Sequence, residues 1–145
     1  HGLLRRQRQM CIRDRYTGDA GIFDDEGYLY IVDRLKDMVV TGGENVFTTE
    51  VENALISHAA VQDVSVIGIP HDEWGEAVHA IVILHPNQTA TEEELVAHCR
   101  TSIAGYKIPK GFTFRAEPMP LSGAGKVLKT ELRKPFWEGR DRQVN

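Results

Sequence analysis

The stretch that most restricts the fold is Ala77-Val78-His79-Ala80-Ile81-Val82-Ile83-Leu84, apolar at every position except His79. A strand with one wet face alternates polar and apolar residues. One that is apolar nearly throughout needs cover above and below. The run predicts a central strand between two layers. It is far short of the roughly 20 apolar residues that cross a bilayer, so no membrane span is expected. Val61 to Ile69 supplies a second β-branched run, expected to stop at Pro70, and Pro70 to Glu76 reads as a polar connection carrying Trp74.

The elements around these strands announce themselves by turn and cap residues. Ile22-Phe23 and Tyr28-Leu29-Tyr30-Ile31-Val32 flank Asp24-Asp25-Glu26-Gly27, a β-hairpin pattern. Asp33 to Val40 continues as a short extended piece, and Gly42-Gly43 marks a bend with positive φ. Thr49 with Glu52 reads as a capping box, ahead of Val51, Ala54 and Leu55 on one helical face up to His58. Thr91 with Glu94 is a second box, with Leu95, Cys99 and Ile103 behind it and Gly105 placed to end the helix. Gly111 to Arg115 alternates as a last strand. Leu128, Leu132 and Phe136 line a terminal helix that Pro135 is expected to end or kink. Together these predict an α/β (α+β) unit: a small compact domain with a mixed β-sheet, a β-hairpin and about three covering helices.

Charge and cysteine usage narrow the function. Residues 1–15 carry five arginines against one aspartate, while the remainder is acidic enough to bring the net charge to −4. That composition shift marks 1–15 as a non-native arm, and a nucleic-acid tail or targeting peptide finds no further support along the chain. Cys11 and Cys99 form no CxxC pair, and the six histidines are scattered singly, so no metal site is expected. Cys99, on a helical apolar face, reads as core. A reducing, cytoplasmic setting suits this usage.

Pro118-Met119-Pro120-Leu121-Ser122-Gly123-Ala124-Gly125-Lys126 is an irregular loop ending in a lysine. It is not a phosphate-binding P-loop, because Pro120 stands where that motif needs glycine and Val127 where it needs serine or threonine. What remains is a lysine on a glycine-hinged loop, suited to meeting a phosphate as a point charge.

Four segments occur in a telling order: Tyr16-Thr17-Gly18-Asp19, Asp33-Arg34-Leu35-Lys36-Asp37, Gly42-Gly43-Glu44-Asn45 and Pro120 to Leu128. In order and spacing they resemble the adenylate-forming superfamily of acyl-CoA synthetases, luciferases and peptide-synthetase adenylation domains. The resemblance covers residues 16–145. It implies that 16–33 are the end of a large AMP-binding domain and 34–145 the C-terminal domain of an acyl-CoA synthetase. It further implies ATP-dependent formation of an acyl-adenylate from a carboxylic acid, with Mg2+ accompanying ATP and AMP left after transfer to coenzyme A. Asp19 and Arg34 match nucleotide-binding positions, Lys36 the hinge, and Lys126 the catalytic lysine of adenylation. Gly42, Gly43 and Glu44 match the coenzyme A tunnel, and Lys107 and Lys110 match positions where relatives hold coenzyme A phosphates, although Ile108 replaces a residue that is basic in some of them. The ending Lys134 to Gly139 resembles fatty-acyl and related ligases. The implied partner is the large N-terminal domain, without which the fragment alone is expected to be inactive. The alternatives are an adenylate-former that loads a carrier protein or acts like a luciferase, and, from another class, a small interaction module with a basic nucleic-acid-binding arm.

Overall fold

The computed structural model describes residues 18–140, so the arginine-rich arm, Cys11, Tyr16 and Thr17 lie outside the described residues. Strands β1 (Asp19–Phe23) and β2 (Leu29–Arg34) pair antiparallel as a separate two-stranded sheet. Asp24 closes their turn by accepting from the backbone N–H of Tyr28 at 2.9 Å and of Glu26 at 3.0 Å. Those bonds, Tyr28 foremost, hold its carboxyl below the usual range. The hairpin exposes apolar side chains on both faces, including Phe23 at 72% and Ile31 at 61%. An isolated ribbon of this kind is marginal in water without a covering layer.

The second sheet has five strands. β3 (Val39–Thr41) and β4 (Glu44–Val46) form a tight hairpin, and β5 (Val61–His71) and β6 (Gly75–Leu84) a long one. β7 (Gly111–Phe114) runs parallel to β6, giving the order β4-β3-β6-β5 with β7 against β6. Three α-helices cover it: α1 (Thr48–Ile56), α2 (Glu92–Arg100) and α3 (Lys129–Trp137).

The central strand is covered on both faces, as its composition requires. Val78, Ala80 and Val82 of β6 join Val64 and Val66 of β5 in a core with Val51 and Leu55 of α1 and Leu95 and Cys99 of α2. Ile81 and Ile67 point to the opposite face, against Met119 and Leu132, with Phe136 beside them. Cys99 is fully buried with a free thiol, and burial pushes its pKa up, so it is core and not a nucleophile.

Several boundaries differ from the sequence expectation. β5 runs through Pro70 to His71, with Pro70 opposite Glu76; β5 is an edge strand, the place in a sheet where proline is tolerated. α2 forms its capping box, Thr91 Oγ1 accepting from Glu94 N–H and Glu94 accepting from Thr91 N–H, but it ends at Arg100 and not at Gly105. The hydroxyl of Thr101 bonds the His98 carbonyl there at 2.7 Å. Gly105 instead opens a 3-10 turn, Gly105–Lys107. Pro135 lies inside α3, which continues to Trp137, and Leu128 is its N-cap position.

The capping box at Thr49 and Glu52 does not form. Thr49 Oγ1 donates to the Val32 carbonyl, and Glu52 accepts from Val66 N–H at 2.9 Å and from Lys129 Nζ at 2.7 Å. The start of α1 is satisfied from outside: Asp33 Oδ2 accepts from the N–H and the hydroxyl of Thr48 at 2.7 and 2.8 Å. A carboxylate at a helix N-terminus also meets the favourable end of the helix dipole.

Candidate functional site

The charged segment after β2 folds into a turn. The N–H groups of Asp37 and Met38 both donate to the Arg34 carbonyl, at 3.0 and 3.1 Å. Arg34, Leu35 and Lys36 are exposed along it, whereas Asp37 is half-buried and accepts from Arg133 of α3 at 2.8 Å. Asp19 and Arg34, fifteen positions apart, stand opposite each other across β1 and β2. The hairpin therefore brings the two expected nucleotide contacts side by side next to the expected pivot.

A second grouping forms at the glycine bend. Gly42 and Gly43 connect β3 to β4 with φ of 57° and 84°, a two-residue turn that suits the twist of its strands and that side chains resist. Glu44 is exposed beside it. Gly42 N–H donates to the Trp74 carbonyl at 3.1 Å, and a Cβ on Gly42 would stand 3.8 Å from the Trp74 ring, while one on Gly43 would meet nothing within 4 Å. Trp74 stacks on His71 with centroids 4.2 Å apart and planes within 8°, and Lys110 Nζ lies 5.7 Å from the Trp74 ring centroid. Gly42, Trp74 and Lys110 thus share one exposed patch.

Lys107 is engaged differently. Its ammonium meets both oxygens of Glu50 at 2.9 Å, and the hydrogen bond to that carboxylate raises its pKa. A phosphate at this lysine has to compete with α1.

Lys126 is exposed at the end of a closed loop. Leu121 bridges Val127, Ser122 N–H donates to the Lys126 carbonyl at 2.7 Å, and Gly125 takes φ of 78°. Lys126 takes part in none of the ion pairs among the described residues. Three residues on, Lys129 bonds Thr48 Oγ1 at 2.8 Å and Glu52 at 2.7 Å, so the loop's exit is pinned to the start of α1. The structure joins Asp19 with Arg34 and joins Gly42 with Lys110; no hydrogen bond or ion pair ties Lys126 to either group.

Sequence reasoning gives no role to Trp74, Asp33, Lys129 or Arg133. Trp74 has a signal, a large aromatic in an otherwise polar turn, and Asp33 opens the Asp33-Arg34-Leu35-Lys36-Asp37 segment. Lys129 and Arg133 look like ordinary surface charges in a linear reading. No three His, Cys, Asp or Glu side chains converge as a metal cage, and no helix is long and apolar enough to cross a membrane, among the described residues.

Comparison with known proteins bears on these groupings. The family model for the AMP-binding enzyme C-terminal domain matches residues 50–126. The long-chain-fatty-acid–CoA ligase FadD13 of Mycobacterium tuberculosis is 49% identical over 120 residues, which cover 83% of this chain and 24% of that protein. The fatty acid–[acyl-carrier-protein] ligase ScoC of Streptomyces coeruleorubidus is 40% identical over 130 residues, covering 90% and 25%. Among solved structures, o-succinylbenzoate CoA synthetase of Bacillus subtilis, in complex with its acyl-adenylate intermediate, superposes with a TM-score of 0.75 at 39% identity, covering 80% of this chain and 23% of that one. The chain thus spans about a quarter of the length of the relatives it matches. On this fold, this matched span and these identities, the chain belongs to the family of AMP-binding enzyme C-terminal domains.

Proposed function

We propose that the chain is the C-terminal part of an ATP-dependent acyl-CoA synthetase acting on a fatty or related carboxylic acid in the cytoplasm. The observation that carries this reading is the placement of two separate groupings around one exposed turn. Asp19 and Arg34 lie on the hairpin side of Lys36, and Gly42, Trp74 and Lys110 on the other. A reaction in two half-steps needs such an arrangement if one nucleotide pocket is to be served in turn by two faces.

In the first step the substrate carboxylate attacks the α-phosphorus of ATP, the bond to pyrophosphate breaks, and acyl-adenylate forms. Asp19 accepts hydrogen bonds from the ribose hydroxyls, which a two-oxygen carboxylate suits, and Arg34 adds a second nucleotide contact. Lys126 places fixed positive charge against the carboxylate and α-phosphate as negative charge develops. Magnesium arrives with ATP, held by its phosphates. In the second step the thiol of coenzyme A attacks the acyl carbon and AMP leaves. The Gly42-Gly43 turn, with Glu44 beside it, admits the pantetheine arm where side chains would obstruct it. Lys110 and Trp74 offer charge and an aromatic face to the nucleotide end of coenzyme A, and Lys107 joins in competition with Glu50. Residues 16–33 are the last part of the large domain, which supports the apolar hairpin by covering it, and the C-terminal domain beyond the Lys36 pivot is the part that moves.

A carrier-protein acceptor is the second reading, favoured by the similarity to ScoC. The test is to recover the coding sequence upstream of residue 16, express the longer product and assay it with a panel of carboxylates, ATP and coenzyme A. Carboxylate-dependent release of pyrophosphate and AMP with thioester formation is expected. Pyrophosphate release without transfer to coenzyme A, restored by a phosphopantetheinylated carrier, selects the second reading. No pyrophosphate with any carboxylate refutes both.

A further inference from the structure

Two carboxylates bracket Lys36, and they tie the chain in different ways. Asp33, 8% exposed, belongs to β2 on the hairpin side, yet its Oδ2 holds the N–H and hydroxyl of Thr48 on the far side. Thr49 Oγ1 reaches back to the Val32 carbonyl beside it. Asp37 follows Lys36 and pairs at 2.8 Å with Arg133 of α3, the two side chains 17% and 9% exposed. Leu35 N–H donates to the Gly18 carbonyl at 2.7 Å, so the hairpin reaches as far as Leu35. Lys36 lies between a hairpin that ends at Leu35 and a domain to which Asp37 is clamped, inside a turn in which the Asp37 and Met38 N–H groups donate to the Arg34 carbonyl at 3.0 and 3.1 Å.

We propose, resting on the hinge role given to Lys36 above, that Asp33 with Thr48 is a catch holding one of the two domain orientations, and that Asp37 with Arg133 is the mount keeping the pivot fixed to the C-terminal domain. Rotation at Lys36 carries Asp33 with the hairpin and leaves Thr48 with α1. The catch crosses the pivot and has to open; the mount lies wholly on one side and stays shut. Asp33 is three residues before Lys36, a lever of up to about 10 Å along an extended chain, and its contacts to Thr48 at 2.7 and 2.8 Å are the ones a rotation that exchanges domain faces has to break. The contact is charge-assisted and partly shielded from water, which makes it strong enough to bias a two-state equilibrium and not strong enough to lock it. Asp33 and Thr48 are positioning residues in this scheme, acting through orientation and not on the reacting atoms.

The test uses the longer enzyme with the half-reactions measured separately: pyrophosphate release without coenzyme A, and thioester formation from supplied acyl-adenylate. Asp33→Ala and Thr48→Val are expected to shift the ratio of the two rates in the same direction, by about 10- to 100-fold for Asp33→Ala, one rate falling while the other holds or rises. Arg133→Gln is expected to slow both. Equal loss of both half-reactions in Asp33→Ala, or no change, overturns the catch. Lys36→Pro separates the two levels: if it alters neither rate, the hinge reading fails, and if it alters them while Asp33→Ala does not, only the catch fails. Hydrogen exchange in the 145-residue chain gives a readout independent of activity. The Thr48 amide is expected to exchange about 10- to 100-fold faster in Asp33→Ala, with β5 and β6 amides unchanged, and unchanged Thr48 protection overturns the contact itself.

Discussion

Acidification should destabilise this domain through one histidine. His79 lies in the central strand at 6% exposure, with Nε2 2.8 Å from Thr113 Oγ1 and its ring 4.9 Å from that of Phe136. Its Nδ1 is buried with no hydrogen-bond partner among the described residues. Protonation puts an N–H on both ring nitrogens, and Nδ1 has no acceptor to meet it, while burial already holds the pKa below the ordinary 6.5. The sign follows from linkage. Below 6.5 the unfolded chain binds a proton that the folded chain refuses, so the stability present above that value is lost as pH falls. The loss one pH unit below 6.5 has an upper limit on the order of 1 kcal/mol for one group. For a urea slope of roughly 1–3 kcal/mol/M, the midpoint moves by up to about 1 M. The assay is urea unfolding at pH 7.5 and 5.5 for the native chain and for His79→Gln, a neutral amide that does not titrate. Five other histidines are common to both proteins, so the difference between their pH responses isolates His79. Equal losses in the two proteins would refute the reasoning.

Four further outcomes are expected. Gly111→Ala places a Cβ 2.9 Å from His79 Nδ1, and the ring is backed by Phe136, so urea unfolding should show a loss of about 1–3 kcal/mol. Thr91→Ala removes the α2 capping box and should cost about 1 kcal/mol in the same assay, with α2 amides the most affected in hydrogen exchange. In the longer enzyme, Lys126→Ala should slow adenylate formation on the order of 100- to 1000-fold in single-turnover pyrophosphate release, sparing thioester formation from supplied adenylate. Gly43→Leu should do the reverse; its left-handed φ of 84° adds strain of about 1–2 kcal/mol, measurable by unfolding of the 145-residue chain, and equal damage to both half-reactions would contradict the tunnel role.

The sequence by itself determined what depends on neighbours along the chain. Period and composition marked β6 as a strand buried on both faces, and Gly42-Gly43 declared a turn at positive φ. Thr91 with Glu94 declared a cap that forms because both partners sit within one helical turn and nothing else competes for them. The order of four short motifs made the family legible, since each is a local signature.

Only the tertiary structure decided which partner each long polar side chain takes. Thr49 and Glu52 have the spacing of a capping box, yet Glu52 goes to Lys129, 77 positions away, and the helix is capped by Asp33, 15 positions before Thr48. Lys107 looked available for a phosphate and is held by Glu50, 57 positions off; Arg133 looked like surface and clamps Asp37 across 96. The physical reason is competition. A charged group removed from water takes the partner that folding brings nearest and shields best, and linear spacing does not reveal that choice.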